Sequence, residues 1–412
     1  MTRPSLYIFL LSCMLTMLIF PASAANIVVA ENGGDYTGIQ DAVDNAEAGD
    51  TITIMPGEYS GWISINKALE LEGTGPETVI TAEGDSNVLH ISADDVMISK
   101  IAFQGGTRGI YIDDSARTLI EDCTFTGSET SVSISESRTC SIENCDIEAE
   151  MIGIQLYNSN STVLSKNNIT AAARGISLIY SENITVKENT LYECEVGIAA
   201  ERVSESSFER NGLSGMVGAV VLIASEGCHI SGNNVVDVLQ YTQFFTSQDC
   251  MVDMNRLEDA EYFTADIFSD TSYVFENYSL TGHDYALTSS SYTPSDTSGY
   301  KMLADPVNLT FINVSETGSG YVILEAASLL SEFDGYDQES YGFYNIDSGE
   351  RIISNSAIEN DTIRAQAVVE GPESGNYALM VKKEQGWINI MIFIAFIAVI
   401  GGMILALSKR KK

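Results

Sequence analysis

The chain has 412 residues, of which 57 are acidic and 21 basic, so its formal net charge is −36. A charge of this sign and size opposes binding to nucleic acids and to anionic membrane surfaces. Hydrophobic residues make up 45% of the chain, which is enough for a sizeable core, and the length allows two or three domains.

The N terminus predicts a signal peptide. Arg3 precedes an apolar run over residues 7–20, which is too short to span a membrane. Pro21-Ala22-Ser23-Ala24 follows, and this fits an Ala-x-Ala cleavage site after Ala24. We therefore expect residues 1–24 to be removed on export.

A short amphipathic helix is predicted next. Thr37-Gly38-Ile39-Gln40 has the form of a capping box, with Thr37 as the N-cap and Gln40 at the third helical position. One face of this helix carries the apolar side chains of Ile39, Ala42, Val43 and Ala46. Such a helix would cover the open end of a repeat stack, which otherwise exposes apolar surface and unpaired strand edges.

A 22-residue repeat dominates the next part of the chain. Gly175-Ile176 returns as Gly197-Ile198, and several other columns keep the same spacing without insertions. The apolar columns are Ile110, Val132, Ile154, Ile176, Ile198, Val220; Ile112, Ile134, Leu156, Leu178, Ala200, Leu222; Ile120, Ile142, Leu164, Val186, Phe208, Ile230, Val252; and Phe125, Ile147, Ile169, Leu191, Leu213, Val235, Leu257. Apolar and polar residues alternate within each unit, which is strand periodicity. The repeat therefore predicts a solenoid whose coils stack as parallel strands about 4.8 Å apart.

One column of the repeat is small or carries an amide. Its members are Cys123, Cys145, Asn167, Asn189, Asn211, Asn233, Asn255 and Asn277. Asn tolerates the left-handed backbone conformation that a corner between strands often needs, and its amide can hydrogen-bond to the next coil. We interpret this column as a structural ladder rather than a ligand site.

The quoted segments resemble a known family. "IVVAENGGDYTGIQDAVDNAEAGDTITIMPGEYSG", "INKALELEGTG" and the corners "ENT" and "GNN" are similar to right-handed parallel β-helix surface proteins of the NosD-like and carbohydrate-binding and sugar-hydrolase (CASH) type, common in archaeal envelopes. The resemblance covers residues 26–280 and implies an all-β right-handed parallel β-helix. It does not define an activity, because the family includes lyases, hydrolases, esterases, an accessory protein of nitrous-oxide reductase and proteins with no known reaction.

The C-terminal third predicts a stalk and an anchor. Residues 281–300 are rich in Ser, Thr and Tyr and are interpreted as a linker, and strand-like runs over 301–384 resemble the small β-sandwich stalks of archaeal surface proteins. Residues 387–407 contain no charge and would reach roughly 31 Å as a helix, enough to cross a bilayer. Residues 408–412 follow with a basic cluster, which predicts a cytoplasmic tail and an extracellular remainder on a single-pass anchor.

An outward face of the coils is the candidate binding surface. One outward column contains Tyr111, Ser133, Gln155 and Ser177, and it is flanked by Tyr157 and Tyr180. Tyrosine offers a sugar ring an apolar face together with a hydroxyl group. The predicted partner is therefore an envelope or environmental polysaccharide.

A catalytic alternative rests on a cluster of charges. Asp113 and Asp114 lie near Arg117 and one coil from Arg138, and a lyase of this fold would need carboxylates for calcium and a basic residue nearby. The isolated His90, His229 and His283 do not form the arrays that copper would require. No metal site and no cofactor are therefore predicted, and calcium stays open only for the lyase alternative.

Cysteines and glycosylation motifs complete the candidate residues. Cys123–Cys145 and Cys228–Cys250 each occupy one column one coil apart, which allows either a disulfide or stacked thiols. Asn-x-Ser/Thr motifs predict glycosylation in an exported chain. They lie at Asn160, Asn168, Asn183, Asn308, Asn313 and Asn360, with Asn277 discounted because it falls in the inward column.

Together these features predict a membrane-anchored extracellular protein with a structural, adhesive or polysaccharide-binding role at the cell surface. The first alternative is a polysaccharide lyase or hydrolase. The second is a NosD-like copper-binding accessory protein.

Overall fold

A computed structural model describes most of the chain. The described residues are 24–82, 86–171, 173–267, 269–274, 279–283, 285–289, 300–303, 307–311, 321–329, 336–345, 347–348, 350–352, 354–359, 362–370 and 375–383. They form two compact units, within residues 1–149 and 150–412. Strands dominate both units, so the all-β prediction is confirmed.

The first unit contains one helix and two stacks of parallel strands, numbered here in chain order. The helix is α1 (Ile39–Asn45). The first stack contains β1 (Asn26–Val29), β2 (Thr51–Ile54), β5 (Glu70–Gly73), β8 (Met97–Ser99), β11 (Leu119–Glu121) and β13 (Ser141–Glu143). The second contains β3 (Gly57–Ser60), β4 (Ile63–Ile65), β6 (Thr78–Thr81), β7 (Leu89–Ile91), β9 (Ala102–Gln104), β10 (Arg108–Asp113) and β12 (Thr124–Ser135). Strand β14 (Asp146–Tyr157) begins in this unit and ends in the next.

The buried face of helix α1 is the predicted one, but its N-cap residue is not. Its apolar residues Ile39, Ala42 and Val43 are buried, and the helix contacts β1, β2 and β4. The N-cap is Gly38, which makes no side-chain cap, so the prediction of Thr37 as the N-cap was wrong. Gln40 instead accepts a hydrogen bond from the Ser64 amide at 2.8 Å and donates one to Asp44 at 2.7 Å. The role of α1 as a cap of the stack stays a prediction.

The second unit continues the same pattern of coils. Its first stack contains β15 (Val163–Ser165), β18 (Thr185–Lys187), β21 (Ser207–Glu209), β23 (His229–Ser231), β25 (Cys250–Asp253) and β27 (Asp270–Val274). Its second stack contains the end of β14 with β16 (Asn168–Ala171), β17 (Arg174–Ile179), β19 (Thr190–Tyr192), β20 (Val196–Glu201), β22 (Gly212–Ile223), β24 (Asn234–Phe245) and β26 (Arg256–Ile267). Neighbouring strands in both stacks are parallel.

The register of these strands confirms the 22-residue period. Ile176 pairs with Ile198, and Val186 pairs with Phe208. The predicted inward residues Ile176, Leu178 and Val186 are fully buried. Each inward side chain therefore packs on its counterpart one coil away, which removes apolar surface from water along the whole column.

The Asn column is a buried hydrogen-bonded ladder, as predicted. Asn211 Oδ1 accepts from the Asn189 amide at 3.0 Å and from Asn189 Nδ2 at 3.1 Å, and Asn211 Nδ2 donates to the Val186 carbonyl at 3.0 Å. The expected left-handed backbone lies one residue earlier, however, at Glu188 and Arg210, with φ of 58° and 52°. The residue before each Asn therefore adopts the left-handed conformation at the corner. The role of the Asn amide is to form hydrogen bonds with the neighbouring coil.

A second ladder of hydroxyl groups was not predicted. The Ser159 amide donates to Ser181 Oγ at 3.1 Å, and the Ser225 amide donates to Ser247 Oγ at 3.2 Å. The serine column thus satisfies backbone donors at another corner of the coils. Its signal was present in the sequence as serines 22 residues apart, but serine is common enough in loops to pass unnoticed.

Antiparallel strands follow the last coils. From β27 the pairing runs through β28 (Ser279–His283), β32 (Tyr321–Leu329), β36 (Thr362–Glu370) and β35 (Ser354–Glu359). From β26 it runs through β29 (Tyr285–Ser289), β31 (Val307–Phe311) and β37 (Gly375–Lys383). Strand β37 also pairs with β30 (Tyr300–Met302) and with β33 (Tyr336–Asn345). Strand β33 in turn pairs with β34 (Glu350–Arg351). Residues 281–283 and 285–289 therefore lie in strands, which corrects the linker prediction over that part of 281–300. The β-sandwich assignment of 301–384 stays a prediction, although β33 contacts β36 from the other sheet.

Several predicted segments lie outside the described residues. These are the signal peptide up to residue 23, the anchor over 387–407 and the tail over 408–412. Within the described part of the chain, no helix is both long enough and apolar enough to cross a membrane.

The cysteines in the described residues are buried thiols. Cys123, Cys140, Cys145, Cys194, Cys228 and Cys250 are free and buried in the structure, and the pairs Cys123–Cys145 and Cys228–Cys250 lie in adjacent coils. A hydrogen bond with Cys250, followed by burial, raises the pKa of Cys228, and the same two causes, with Cys123 as the partner, raise the pKa of Cys145. Burial raises the pKa of Cys140 and Cys194.

These thiols should resist modification in the folded protein. Thiolate is the reactive form, and a buried thiol with a raised pKa supplies little of it. We expect the six to react with a disulfide reagent only after addition of denaturant, in a spectrophotometric thiol titration. If the denatured protein has two or four fewer reactive thiols per chain before reduction than after it, the missing thiols are in disulfides.

Candidate functional site

Three rings from successive coils form a stack on the surface of the first unit. Ser64, His90 and Tyr111 are in register on β4, β7 and β10, and Trp62 lies just before β4. The Trp62 and His90 ring centroids are 6.4 Å apart with planes inclined by 22°. Those of His90 and Tyr111 are 5.2 Å apart and inclined by 12°. We call these three residues the aromatic stack.

The stack covers most of its own ring faces. His90 lies between Trp62 and Tyr111, and the guanidinium of Arg108 lies 4.9 Å from the centroid of the Tyr111 ring. His90 Nε2 is buried without a hydrogen-bond partner among the described residues. Trp62 is 55% exposed, and only one face of its indole is turned toward His90. The other face of Trp62 is therefore the open end of the stack.

Tyr111 is held in its neutral form by its surroundings. Desolvation by burial is the first cause that raises the pKa of Tyr111, and the nearby Asp113 carboxylate is the second. The Tyr111 hydroxyl donates to Asp113, while a hydrogen bond from Ser135 acts in the opposite direction. The Tyr111 ring is thus held in place within the stack, because its hydroxyl forms hydrogen bonds with Asp113 and Ser135.

A cavity opens beside Trp62. Its volume is about 370 Å³. The lining residues are Thr37, Gly38, Ile39, Gln40, Asp41, Glu58, Tyr59, Ser60, Gly61, Trp62 and Ile63. They come from the start of α1 and from β3 and the turn into β4, and none comes from β7. The cavity and the aromatic stack therefore share Trp62, while His90 and Tyr111 do not line the cavity.

The floor of this cavity is rigidly held. Tyr59 is buried, and its hydroxyl donates to the Met55 carbonyl at 2.9 Å. Gln40 is held by the Ser64 amide, as described above. Gly61 adopts φ of 122°, a conformation available mainly to glycine, and this turn places Trp62 next to Ser60. The exposed polar groups left at the rim are those of Thr37, Asp41, Glu58 and Ser60.

The structure separates the predicted binding column into buried and exposed members. Ser133 and Ser177 are 5% and 1% exposed, so they cannot serve as an outward binding surface as predicted. Gln155 is half-buried. Tyr157 and Tyr180 are each 45% exposed and form an edge-to-face pair with centroids 5.8 Å apart.

The tyrosine pair of the second unit carries its own basic residue. Arg202 lies 5.1 Å from the Tyr180 ring centroid and donates to the Tyr180 hydroxyl at 2.6 Å. It also forms an ion pair with Glu201 at 3.1 Å. This pair is a second exposed aromatic surface.

The predicted catalytic charges do not converge on one centre. Arg117 pairs with Asp95, at 2.6 Å from Nε to Oδ1, and with Asp94 at 3.3 Å. Its hydrogen bond lowers the pKa of Asp95. Asp113 accepts from Tyr111 instead, and Asp114 is exposed at a corner with φ of 47°.

The fourth of these residues, Arg138, lies one coil from Ala116 and is exposed. In the part of the chain that the structure describes, no group of three or more His, Cys, Asp or Glu side chains is arranged to hold a metal ion. A role for calcium at Asp113 and Asp114 stays a prediction of the lyase alternative.

Three of the predicted glycosylation sites are exposed. Asn160, Asn168 and Asn183 lie on the surface of the second unit. Asn160 Oδ1 accepts from the Glu182 amide at 3.0 Å, and Asn183 Nδ2 donates to Ser161 Oγ at 3.1 Å, whereas Asn168 lies at the start of β16. Asn308 is in β31, and Asn277, Asn313 and Asn360 lie outside the described residues.

Comparison with known proteins agrees with the coil geometry. Residues 86–235 match the family model of the right-handed β-helix region. The fold is a right-handed parallel β-helix. An alginate lyase from Paenibacillus sp. FPU-7 has a similar structure, with a TM-score of 0.50 and 15% identity over 57% of this chain and 95% of that one. ORF18 of Geobacillus virus E2 gives a TM-score of 0.50 and 12% identity over 79% of this chain and 75% of that one. At these identities the two structures show the fold alone.

One sequence relative is named for its location. A cell surface glycoprotein of Methanothermus fervidus is 30% identical to this chain over 95 residues. The match covers 23% of this chain and only 16% of that protein. Its name therefore describes a much longer protein, of which this chain resembles one segment.

Sequence reasoning found Tyr111 but missed Trp62 and His90. Ser64 and His90 are in register although 26 residues apart, and His90 and Tyr111 are in register although 21 apart. A search at a period of 22 cannot align coils that contain insertions. The signal that could have found the stack is the outward position of His90 between the inward Leu89 and Ile91.

Proposed function

We propose that this protein is a membrane-anchored cell-surface protein that binds polysaccharide through the open face of Trp62 and the adjoining cavity. The observation that carries the proposal is the exposed indole at the end of a supported aromatic stack, with a cavity of about 370 Å³ beside it. A cavity of this size suits one or two sugar units, since small-molecule sites begin at about 300 Å³.

Recognition would combine an apolar and a polar contact. A pyranose ring presents a face of C–H groups that packs on an indole, while its hydroxyls need hydrogen-bond partners at the rim. Thr37, Ser60 and the two carboxylates supply such partners around Trp62. The aromatic stack below keeps the indole in place, so that little side-chain entropy is lost on binding.

Surface location is supported by the predicted export signal, by the predicted anchor over 387–407 and by the cell surface glycoprotein relative. An acidic exterior of this kind keeps a secreted solenoid soluble. Glycosylation at Asn160, Asn168 or Asn183 would fit the same location. The NosD-like relationship and the archaeal envelope setting belong to this proposal as well.

Replacement of Trp62 by Ala should weaken polysaccharide binding about 10- to 30-fold, because a central aromatic anchor typically carries this share of the binding free energy. A glycan array on the full-length chain identifies the ligand, and calorimetry then measures its affinity. Tyr192→Ala, which removes another exposed aromatic residue of the second unit, is the matched control. Equal affinities of Trp62→Ala and the parent protein for every ligand found would refute the proposed site.

Tyr157→Ala and Tyr180→Ala in the same assay show whether the second aromatic surface contributes.

A further inference from the structure

The cavity beside Trp62 has an unusual charge composition. It contains two carboxylates, those of Asp41 and Glu58, and its lining contains no Lys or Arg. Both side chains are exposed, and neither forms an ion pair with a basic residue in the described parts of the chain. Lys67 donates to the carbonyls of Asp44 and Ala46 at the other end of α1.

Both acidic residues line the same cavity as the indole. Asp41 lies in the first turn of α1, and its Oδ2 lies over Gly38, where an added Cβ would be only 3.3 Å away. Gly38 and Asp41 both line the cavity, and the Asp41 side chain is exposed. Glu58 points outward from β3 because the inward position next to it is filled by the buried Tyr59.

A sugar in this cavity would therefore meet two exposed carboxylates that form no ion pair in the described parts of the chain. Such a site repels a uronate, whose carboxylate would add a third negative charge. It favours a group that is positively charged and rich in N–H donors, since carboxylates only accept hydrogen bonds.

From this arrangement we infer that the sugar bound at Trp62 is an amino sugar with an unsubstituted amine. The inference rests on the proposed polysaccharide-binding function and adds the substrate class. The amine would lie between the carboxylates of Asp41 and Glu58, and the pyranose ring would lie on Trp62.

The test compares two oligosaccharides that differ only at the amine. The probes are a β-1,4-linked glucosamine trimer and its fully N-acetylated counterpart, titrated calorimetrically into the full-length chain at neutral pH and moderate salt. The amine trimer should bind about three- to tenfold more tightly, a margin that corresponds to two partly solvated charge pairs. The double variant Asp41→Asn, Glu58→Gln should remove this margin, so that it binds the two trimers with equal affinity.

Two controls separate a specific site from general attraction to an acidic protein. Glu47→Gln removes one exposed carboxylate near the end of α1 but outside the cavity, and it should leave the margin intact. Trilysine carries a comparable charge without a sugar ring, and its affinity should be the same for the parent and for Trp62→Ala.

The outcomes distinguish this inference from the function on which it rests. Equal affinity of the two trimers, with both lost in Trp62→Ala, would overturn amino-sugar selection and leave polysaccharide binding in place. Trilysine binding that depends on Trp62 would show a general amine site and would also overturn the inference. If other polysaccharides bind but Trp62→Ala has no effect on any of them, both the site and its selectivity are refuted.

Discussion

Substitution of Val186 by Asp should destabilise the coils of the second unit by at least about 3 kcal/mol. Val186 is fully buried and packs between Leu164 and Phe208, its partners in β15 and β21. A carboxylate at this position would have no basic residue within the column, and burying an unpaired charge is among the largest single-residue costs. Chemical denaturation followed by circular dichroism would measure the loss.

The matched control for this substitution is Thr190→Asp. Thr190 is exposed at the start of β19 in the same coil, and the change adds the same negative charge to a chain that is already strongly acidic. We expect its denaturation midpoint to stay within experimental error of the parent value. If Val186→Asp unfolded at the same denaturant concentration as Thr190→Asp, the inward assignment of this column would be wrong.

The second large effect is expected when one Asn of the ladder loses its amide. Asn233 Oδ1 accepts from the Asn211 amide at 2.8 Å and from Asn211 Nδ2 at 3.0 Å. Asn233 Nδ2 donates to the Phe208 carbonyl at 2.9 Å and to Asn255 Oδ1 at 2.9 Å. Asn233→Ala would leave buried groups of Asn211 and Phe208 without these partners, and we expect a loss of about 2–4 kcal/mol.

The adjacent residue is the control for this prediction. Asn234 is exposed where Asn233 is buried, and it is the first residue of β24, so Asn234→Ala should change stability by less than about 0.5 kcal/mol. Hydrogen exchange adds a local measurement, because the Asn211 amide should lose protection in Asn233→Ala but keep it in Asn234→Ala. Retained protection of that amide in Asn233→Ala would show that the ladder does not hold the corner.

The catalytic hypothesis illustrates where proximity in the sequence misleads. Asp113, Asp114 and Arg117 lie within five residues, which suggested a common centre. In the coils, however, a side chain at a corner meets the corner of the neighbouring coil, so Arg117 pairs with Asp94 and Asp95. Charge partners in a solenoid are selected by coil register, and residues three or four apart can point to different faces.

The sequence by itself determined the coils and their packing. Every unit repeats the same local pattern, and each coil of a solenoid contacts mainly its neighbours, so a period of 22 is sufficient to assign inward residues such as Val186 and ladder residues such as Asn233. This reasoning fails where the period is broken, because some of the early coils are shorter than 22 residues and others are longer.

Only the tertiary structure decided the candidate binding site. It combines Asp41 from α1, Glu58 from β3 and the exposed Trp62, and it stacks Trp62 on His90 and Tyr111 from later coils. No constant spacing connects these residues, because they come from a helix, a turn and strands separated by loops of unequal length. Their convergence follows from the lateral register of strands and from the placement of α1, which are properties of the folded backbone and not of any local sequence pattern.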